Sequence, residues 1–194
     1  MPRSCETDPV KKRLTLVLGG VRAGKSSYAQ ALAESGRQVL FVATAEAGDR
    51  EMEARIQAHR KGRPADWDTL EEPVDLVSAV KSRMRHYDTV LLDCLTLWTS
   101  NLMLSTESPG TACIDIASEA RTLLGLYREG NASWIVVSNE VGLGVVPATR
   151  LGRVYADELG RVNQIIAAKA DDVYFMAAGL PLKLKTGGRG LDVS

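Results

Sequence analysis

With 194 residues, 45% of them apolar and 25% charged, the chain has the composition of one folded globular domain, and a disordered or low-complexity protein is excluded. Its 24 basic and 24 acidic side chains cancel. The net charge therefore offers no attraction for nucleic acid or an anionic membrane, and a neutral surface is weakly protected against self-association.

No stretch reaches the ~18 to 20 apolar residues that cross a bilayer, and the opening "MPRSCETDPVKKR" holds no apolar signal segment. Cys5, Cys94 and Cys113 are odd in number and lack CxxC spacing, which fits a reducing compartment. The expectation is a cytoplasmic protein with an N-terminal arm over residues 1–13, a single domain over 14–185 and a tail over 186–194.

In chain order, "RLTLVL" reads as a buried strand and residues 25–34 as a helix ending near Gly36. "QVLFVAT" is a second buried strand. Asp49 is a candidate cap for a helix from Arg50 to about His59, stopped by Gly62 and Pro64. Asp75 caps another helix through about Met84. "DTVLLDC" is a third strand and "LTLWTSNLML" a helix, followed by the turn-rich "TESPGTA". Residues 114–129 are amphipathic, "ASWIVVSN" is a fourth strand, and "EVGLGVVPA" is a glycine-rich loop. A long helix over 150–170 precedes two late strands, "DDVYFMAAG" and "LPLKLK", and a glycine-rich end. Strands that alternate with helices and read as continuous apolar runs imply an α/β fold, a mainly parallel sheet with helices on both faces.

Between the first strand and first helix stands "GGVRAGKS", a GxxxxGK[ST] pattern running from Gly19 to Gly24, Lys25 and Ser26. Glycines let backbone N–H groups approach phosphate oxygens, and the following helix adds its positive end. Lys25 would reach the β and γ phosphates, and the Ser26 hydroxyl would ligate Mg²⁺. Asp93, closing "TVLLD" at the carboxyl edge of the sheet, is the candidate acidic partner of that metal, the alternative being a turn aspartate.

A P-loop alone leaves the reaction open. A GTP-driven switch would carry an NKxD guanine reader and a DxxG directly after the metal strand, and neither is present. A kinase of a small alcohol needs only the loop, the metal and an acceptor. His59 adds a further element: Met52, Ile56 and His59 fall on one helical face, with Arg55, Arg60, Lys61 and Arg63 around them. Such a histidine is either a core residue beside a solvated basic face or an imidazole held among cations that bind a polyphosphate, with a neutral nitrogen able to attack phosphorus. His86 reads as structural, and Trp67, Trp98 and Trp134 as packing residues.

"GGVRAGKS", "ARIQAHRKGRPADW", "LLDCLTLWTSNL" and "SNEVGLGVVPATRLGRVYADELGRVNQ" together resemble the bifunctional adenosylcobinamide kinase/adenosylcobinamide-phosphate guanylyltransferases of cobalamin biosynthesis, in the same motif order. The resemblance implies a P-loop NTPase fold, ATP or GTP with Mg²⁺, adenosylcobinamide and its phosphate as substrates, and a homotrimer. It implies a covalent guanylyl intermediate on His59. It also implies nucleotide contacts from Gly19, Gly20, Val21, Arg22, Ala23, Gly24, Lys25 and Ser26, from Ala43, Thr44 and Ala45, from Arg60, Lys61, Gly62 and Arg63, and from Glu71 and Asp93. The chain departs from the pattern in having Ala58 where a relative has a second histidine, and Asp93 where it has a glutamate. Asn139 and Glu140 are polar groups at a strand end to which no step is assigned.

Overall fold

The computed structural model describes residues 11–46, 48, 50–105 and 114–190. Asp49, "TESPGTA", Cys5 and Cys113 lie outside the described residues. Eight strands form one sheet there, β1 (Leu14–Gly19), β2 (Val39–Ala43), β3 (Asp68–Glu71), β4 (Thr89–Asp93), β5 (Ser133–Val137), β6 (Asp172–Ala177), β7 (Leu180–Thr186) and β8 (Arg189–Gly190), in the order β3-β2-β4-β5-β1-β6-β7-β8. The first six are mutually parallel, and β7 and β8 continue antiparallel. The helices are α1 (Lys25–Ala33), α2 (Arg50–Lys61), α3 (Leu76–Arg83), α4 (Leu95–Ser105), α5 (Ile116–Glu129) and α6 (Arg150–Lys169).

The apolar runs divide by period two. Leu14, Leu16, Leu18, Leu40, Val42, Leu92 and Val136 face one way, onto Leu76, Trp98, Leu123 and Ile166 of α3 to α6. Val17, Phe41, Leu91 and Ile135 face the other, onto Ala29 and Ala33 of α1. Both faces are covered, as expected, but unequally. Each fully buried leucine or phenylalanine contributes about 1.5–3 kcal/mol through removal from water.

Asp75 accepts from the Ser78 N–H at 3.3 Å and caps α3, as its position before an apolar run predicts. Asp115 and Thr149 do the same for α5 and α6. Beyond Arg83 the expected helix tightens into a single 3-10 turn, Met84–His86, where His86 is exposed. Trp98 and Trp134 are buried, the first donating its indole N–H to the Val74 carbonyl at 3.0 Å. Two strands were not anticipated: β3, an exposed edge strand with one apolar residue, and β8, which lies in the glycine-rich end. The last residues of the polar arm are pinned: Lys12 Nζ donates to the Gly130 carbonyl at 2.6 Å. No helix among the described residues is long and apolar enough to cross a membrane.

Candidate active site

β1 ends inside the sheet, between β5 and β6, and the chain turns sharply there into α1. Gly24 has φ +92° and Arg22 φ +56°, so successive backbone N–H groups curl toward one point. At Gly24 a side chain would also crowd the turn, since a Cβ would lie 3.1 Å from Gly179 Cα. Gly19 is required for a different reason: a Cβ would stand 2.6 Å from the Met176 carbonyl oxygen of β6. Its glycine therefore serves strand packing. Val21 and Arg22 are exposed, Ala23 and Ser26 half-buried.

Gly24 is the N-cap of α1 and has no side chain to accept from the first turn. The positive end of α1, unlike those of α3, α5 and α6, is thus open to an external anion. Lys25 is 8% exposed and its Nζ reaches across the loop to donate to the Gly20 carbonyl at 2.6 Å. Burial lowers its pKa from the usual lysine value, with Cys94 and Asp93 opposing the shift.

Glu71, Ala43 and Asp93 form one row. In register Glu71 pairs with Ala43 across β3 and β2, and Ala43 with Asp93 across β2 and β4. The row lies at the carboxyl edge, the ligand edge of open α/β sheets. Just beyond it, Thr44 is fully buried and its hydroxyl both donates to the Cys94 carbonyl at 2.7 Å and accepts the Cys94 N–H at 2.9 Å. Its side chain fixes the β4–α4 junction. Asn101 then donates to the Thr44 carbonyl at 2.9 Å and to that of Pro73 at 3.1 Å. Burial pushes the Cys94 thiol up to about 11, so it is neutral and inert at pH 7. Ala45 is half-buried beside this knot.

Arg60 closes the row from outside, its guanidinium bonded to both Glu71 carboxylate oxygens at 2.5 and 2.6 Å. This ties the end of α2 to the end of β3. Arg63 lies 3.8 Å over the Phe41 ring, and its Nε is buried without a hydrogen-bond partner among the described residues. Burial lowers its pKa, with Glu71 and Asp93 pulling it back. Arg60, Arg63, Trp67, Thr69 and Glu71 line a cleft of about 360 Å³. His59 belongs to the last turn of α2, one residue before Arg60; its side chain and that of Lys61 lie outside the described residues. Gly62 follows the helix as an exposed turn residue.

Sequence reasoning missed the supports behind this edge. The Asn139 N–H donates to Thr96 Oγ1 at 2.7 Å, its carbonyl accepts from Asn163 Nδ2 at 3.0 Å, and the Tyr155 hydroxyl donates to the Thr96 carbonyl at 3.2 Å. Glu140 accepts from the Gly142 N–H at 2.7 Å, and its own N–H donates to the Gly19 carbonyl at 3.1 Å. Asn139 and Glu140 thereby link α4, α6 and the phosphate loop. The partners lie far apart in sequence, and only the "SNEVG" segment itself hinted at them.

A parallel sheet with a glycine-cradled lysine, an uncapped helix start and an aspartate on the adjoining carboxyl edge defines a P-loop NTPase. The fold agrees with that of a solved ATPase from the type III secretion system of pathogenic bacteria, with a TM-score of 0.56 at 10% identity over 88% of this chain and 56% of that one. The chain belongs to the cobinamide kinase / cobinamide phosphate guanyltransferase family, whose model matches residues 15–184. It is 47% identical over 171 residues to the bifunctional adenosylcobalamin biosynthesis protein CobP of Pseudomonas aeruginosa, covering 88% of this chain and 96% of that protein. It is 39% identical over 180 residues to the CobU protein of Salmonella typhimurium, covering 89% and 99%.

Proposed function

We propose that the chain acts in two steps as a single P-loop transferase domain over residues 14–185. A nucleoside triphosphate, ATP or GTP, first transfers its γ-phosphoryl group to the aminopropanol hydroxyl of adenosylcobinamide. A neutral nitrogen of His59 then attacks the α phosphorus of GTP, the bond to the β-phosphate oxygen breaks, and pyrophosphate leaves. A phosphate oxygen of adenosylcobinamide phosphate next attacks the same phosphorus, the P–N bond breaks, and adenosyl-GDP-cobinamide forms with His59 regenerated.

The observation that carries this reading is the double hydrogen bond from Arg60 to Glu71. It ties the last turn of the helix that bears His59 to Glu71, at the outer end of the row that contains Asp93, on the same sheet edge as the phosphate loop. In both steps the loop N–H groups and Lys25 bind the triphosphate, and Arg60 and Arg63 supply further positive charge.

The donors fit Mg²⁺. Asp93 and Ser26 are both half-buried and offer one carboxylate and one hydroxyl, while the described residues hold no cluster of three or more His, Cys, Asp or Glu that would make an all-protein cage. Mg²⁺ keeps several waters and takes further ligands from phosphates, so two protein oxygens suffice. When bound, it neutralises phosphate charge. Assembly as a homotrimer, implied by the resemblance, belongs to the same reading.

His59→Ala is the direct test. With α-labelled GTP the wild-type chain should acquire label that is acid-labile and base-stable, as a phosphoramidate is. The variant should acquire none and make no GDP-linked product, while it still phosphorylates adenosylcobinamide. Unchanged acid-labile label on the variant would move the nucleophile elsewhere, with His86 the remaining histidine.

A further inference from the structure

Large aliphatic side chains stand exposed in the phosphate loop and in two segments that are bonded to it. Val21, in the loop itself, is 79% exposed; Leu143, Val145 and Val146 are 78, 96 and 74% exposed, and Leu180 is 72% exposed. Single exposed aliphatic residues are ordinary, but a group of them bordering one site is a docking signal. Both flanking segments are bonded to the loop they border: the Glu140 N–H donates to the Gly19 carbonyl, and the Gly179 N–H to the Ala23 carbonyl, each at 3.1 Å.

Their composition indicates what they meet. "VGLGVVPAT", residues 141–149, and "AAGLPL", residues 177–182, contain no charged side chain. Such segments add no charge to the binding of a triphosphate, which Lys25 and Arg63 supply. A second substrate must nevertheless bring a hydroxyl to the γ-phosphate at this loop. Resting on the function proposed above, the acceptor is a corrinoid, a macrocycle whose edge carries methyl groups between uncharged amide arms and which is many times larger than the arm that reacts. With its hydroxyl at the loop, its body has to lie on the surrounding rim.

We propose that Val21, Leu143, Val145, Val146 and Leu180 form the corrinoid-docking rim of this enzyme, packing against the methyl-bearing edge of the macrocycle while the hydroxyl arm reaches the γ-phosphate beside Lys25. The tie through Glu140 keeps the first segment in reach of the nucleotide.

The test uses the full chain with Mg²⁺ and compares wild type with the double variant Leu143→Ser/Val145→Ser and with Leu180→Ser. Removing aliphatic contact area should raise the KM for adenosylcobinamide in the phosphorylation step by roughly tenfold or more in the double variant, less in the single one. The KM for the nucleotide and the kcat at saturating corrinoid should stay within about twofold, because neither substitution touches the phosphates. Leu104→Ser, an exposed apolar residue on α4, should leave every parameter unchanged. Sedimentation of each variant is measured in parallel. An unchanged corrinoid KM overturns the rim, and so does a raised KM that appears together with altered sedimentation, which would make the surface a contact with a second copy of the chain. If wild type itself fails to phosphorylate adenosylcobinamide, the proposed function falls and the rim falls with it; if wild type works and the variants match it, the rim alone falls.

Discussion

The two ends of the parallel sheet treat charge in opposite ways. At the amino end Asp172 is buried and gripped from two sides, by Arg13 through two nitrogens at 2.9 and 2.6 Å and by Lys183 at 3.2 Å. Asp171 accepts the Leu14 N–H at 2.8 Å and Lys12 donates to two backbone carbonyls. At the carboxyl end Lys25 is buried against a backbone carbonyl, Arg63 Nε lacks a partner among the described residues, and α1 begins without a side-chain cap. Asp172 is answered by opposite charge on both oxygens, Oδ2 through hydrogen bonds and Oδ1 through the ion pair alone, and buried charge paired in this way holds strands together. Buried charge that is only partly answered by the protein invites an anion to complete it.

The contrast breaks first at Lys25. Lys25→Ala should lower both phosphoryl and guanylyl transfer by roughly 10²–10³-fold, the size of effect seen when one preorganised charge at a reacting oxyanion is lost. The measurement is GTP turnover with each corrinoid substrate at saturating Mg²⁺. Guanylyl transfer that persists at a near-normal rate would mean that the two reactions use separate nucleotide sites.

Asp93→Asn should have the next largest effect. It keeps the shape and removes the charge, so the Mg²⁺ concentration for half-maximal rate should rise by roughly 10–100-fold, with little change in melting temperature. An unaltered Mg²⁺ titration returns Asp93 to the role of a strand-end residue.

Asp172→Asn sharpens the comparison from the other end. Its loss should cost about 1.5–3 kcal/mol of stability, the worth of hydrogen bonds to a charged group, with kcat unchanged. Burial works against the Asp172 charge, but the hydrogen bonds from Arg13 and Lys183 prevail and hold its pKa below the usual value. Its contribution is therefore complete above an unfolded-state value of about 3.9 and is lost as pH falls through the lower native value. Denaturant melts of wild type and variant should differ at neutral pH and converge in acid.

The sequence exposed what is local and concealed what is paired across distance. Lys25 was legible because eight consecutive residues specify the cradle, and Asp75 because a cap acts over three residues. β3 was not: Asp68, Thr69 and Glu71 are polar, and only pairing with β2 makes them a strand. Glu71 was therefore nominated by resemblance alone, and its place in a row with Ala43 and Asp93 depends on a register no motif encodes. Thr44 was nominated as a nucleotide contact, yet its hydroxyl is occupied by Cys94, fifty residues away in the chain. Gly19 belongs to the phosphate motif by pattern, and its missing side chain answers to Met176 of β6.

The uncapped start of α1 has a thermodynamic consequence. The other α-helices with described N-caps complete their first turns from within the chain, at Asp75, Asp115 and Thr149, whereas α1 has no side-chain cap. With nucleotide bound there, as proposed above, the ligand would become a component of the fold's own equilibrium. A ligand at a hundred times its dissociation constant adds about 2.7 kcal/mol to the native state. The resistance of this chain to heat or proteolysis should accordingly track the triphosphate pool around it, and starvation for nucleotide would weaken the protein before it slowed the reaction.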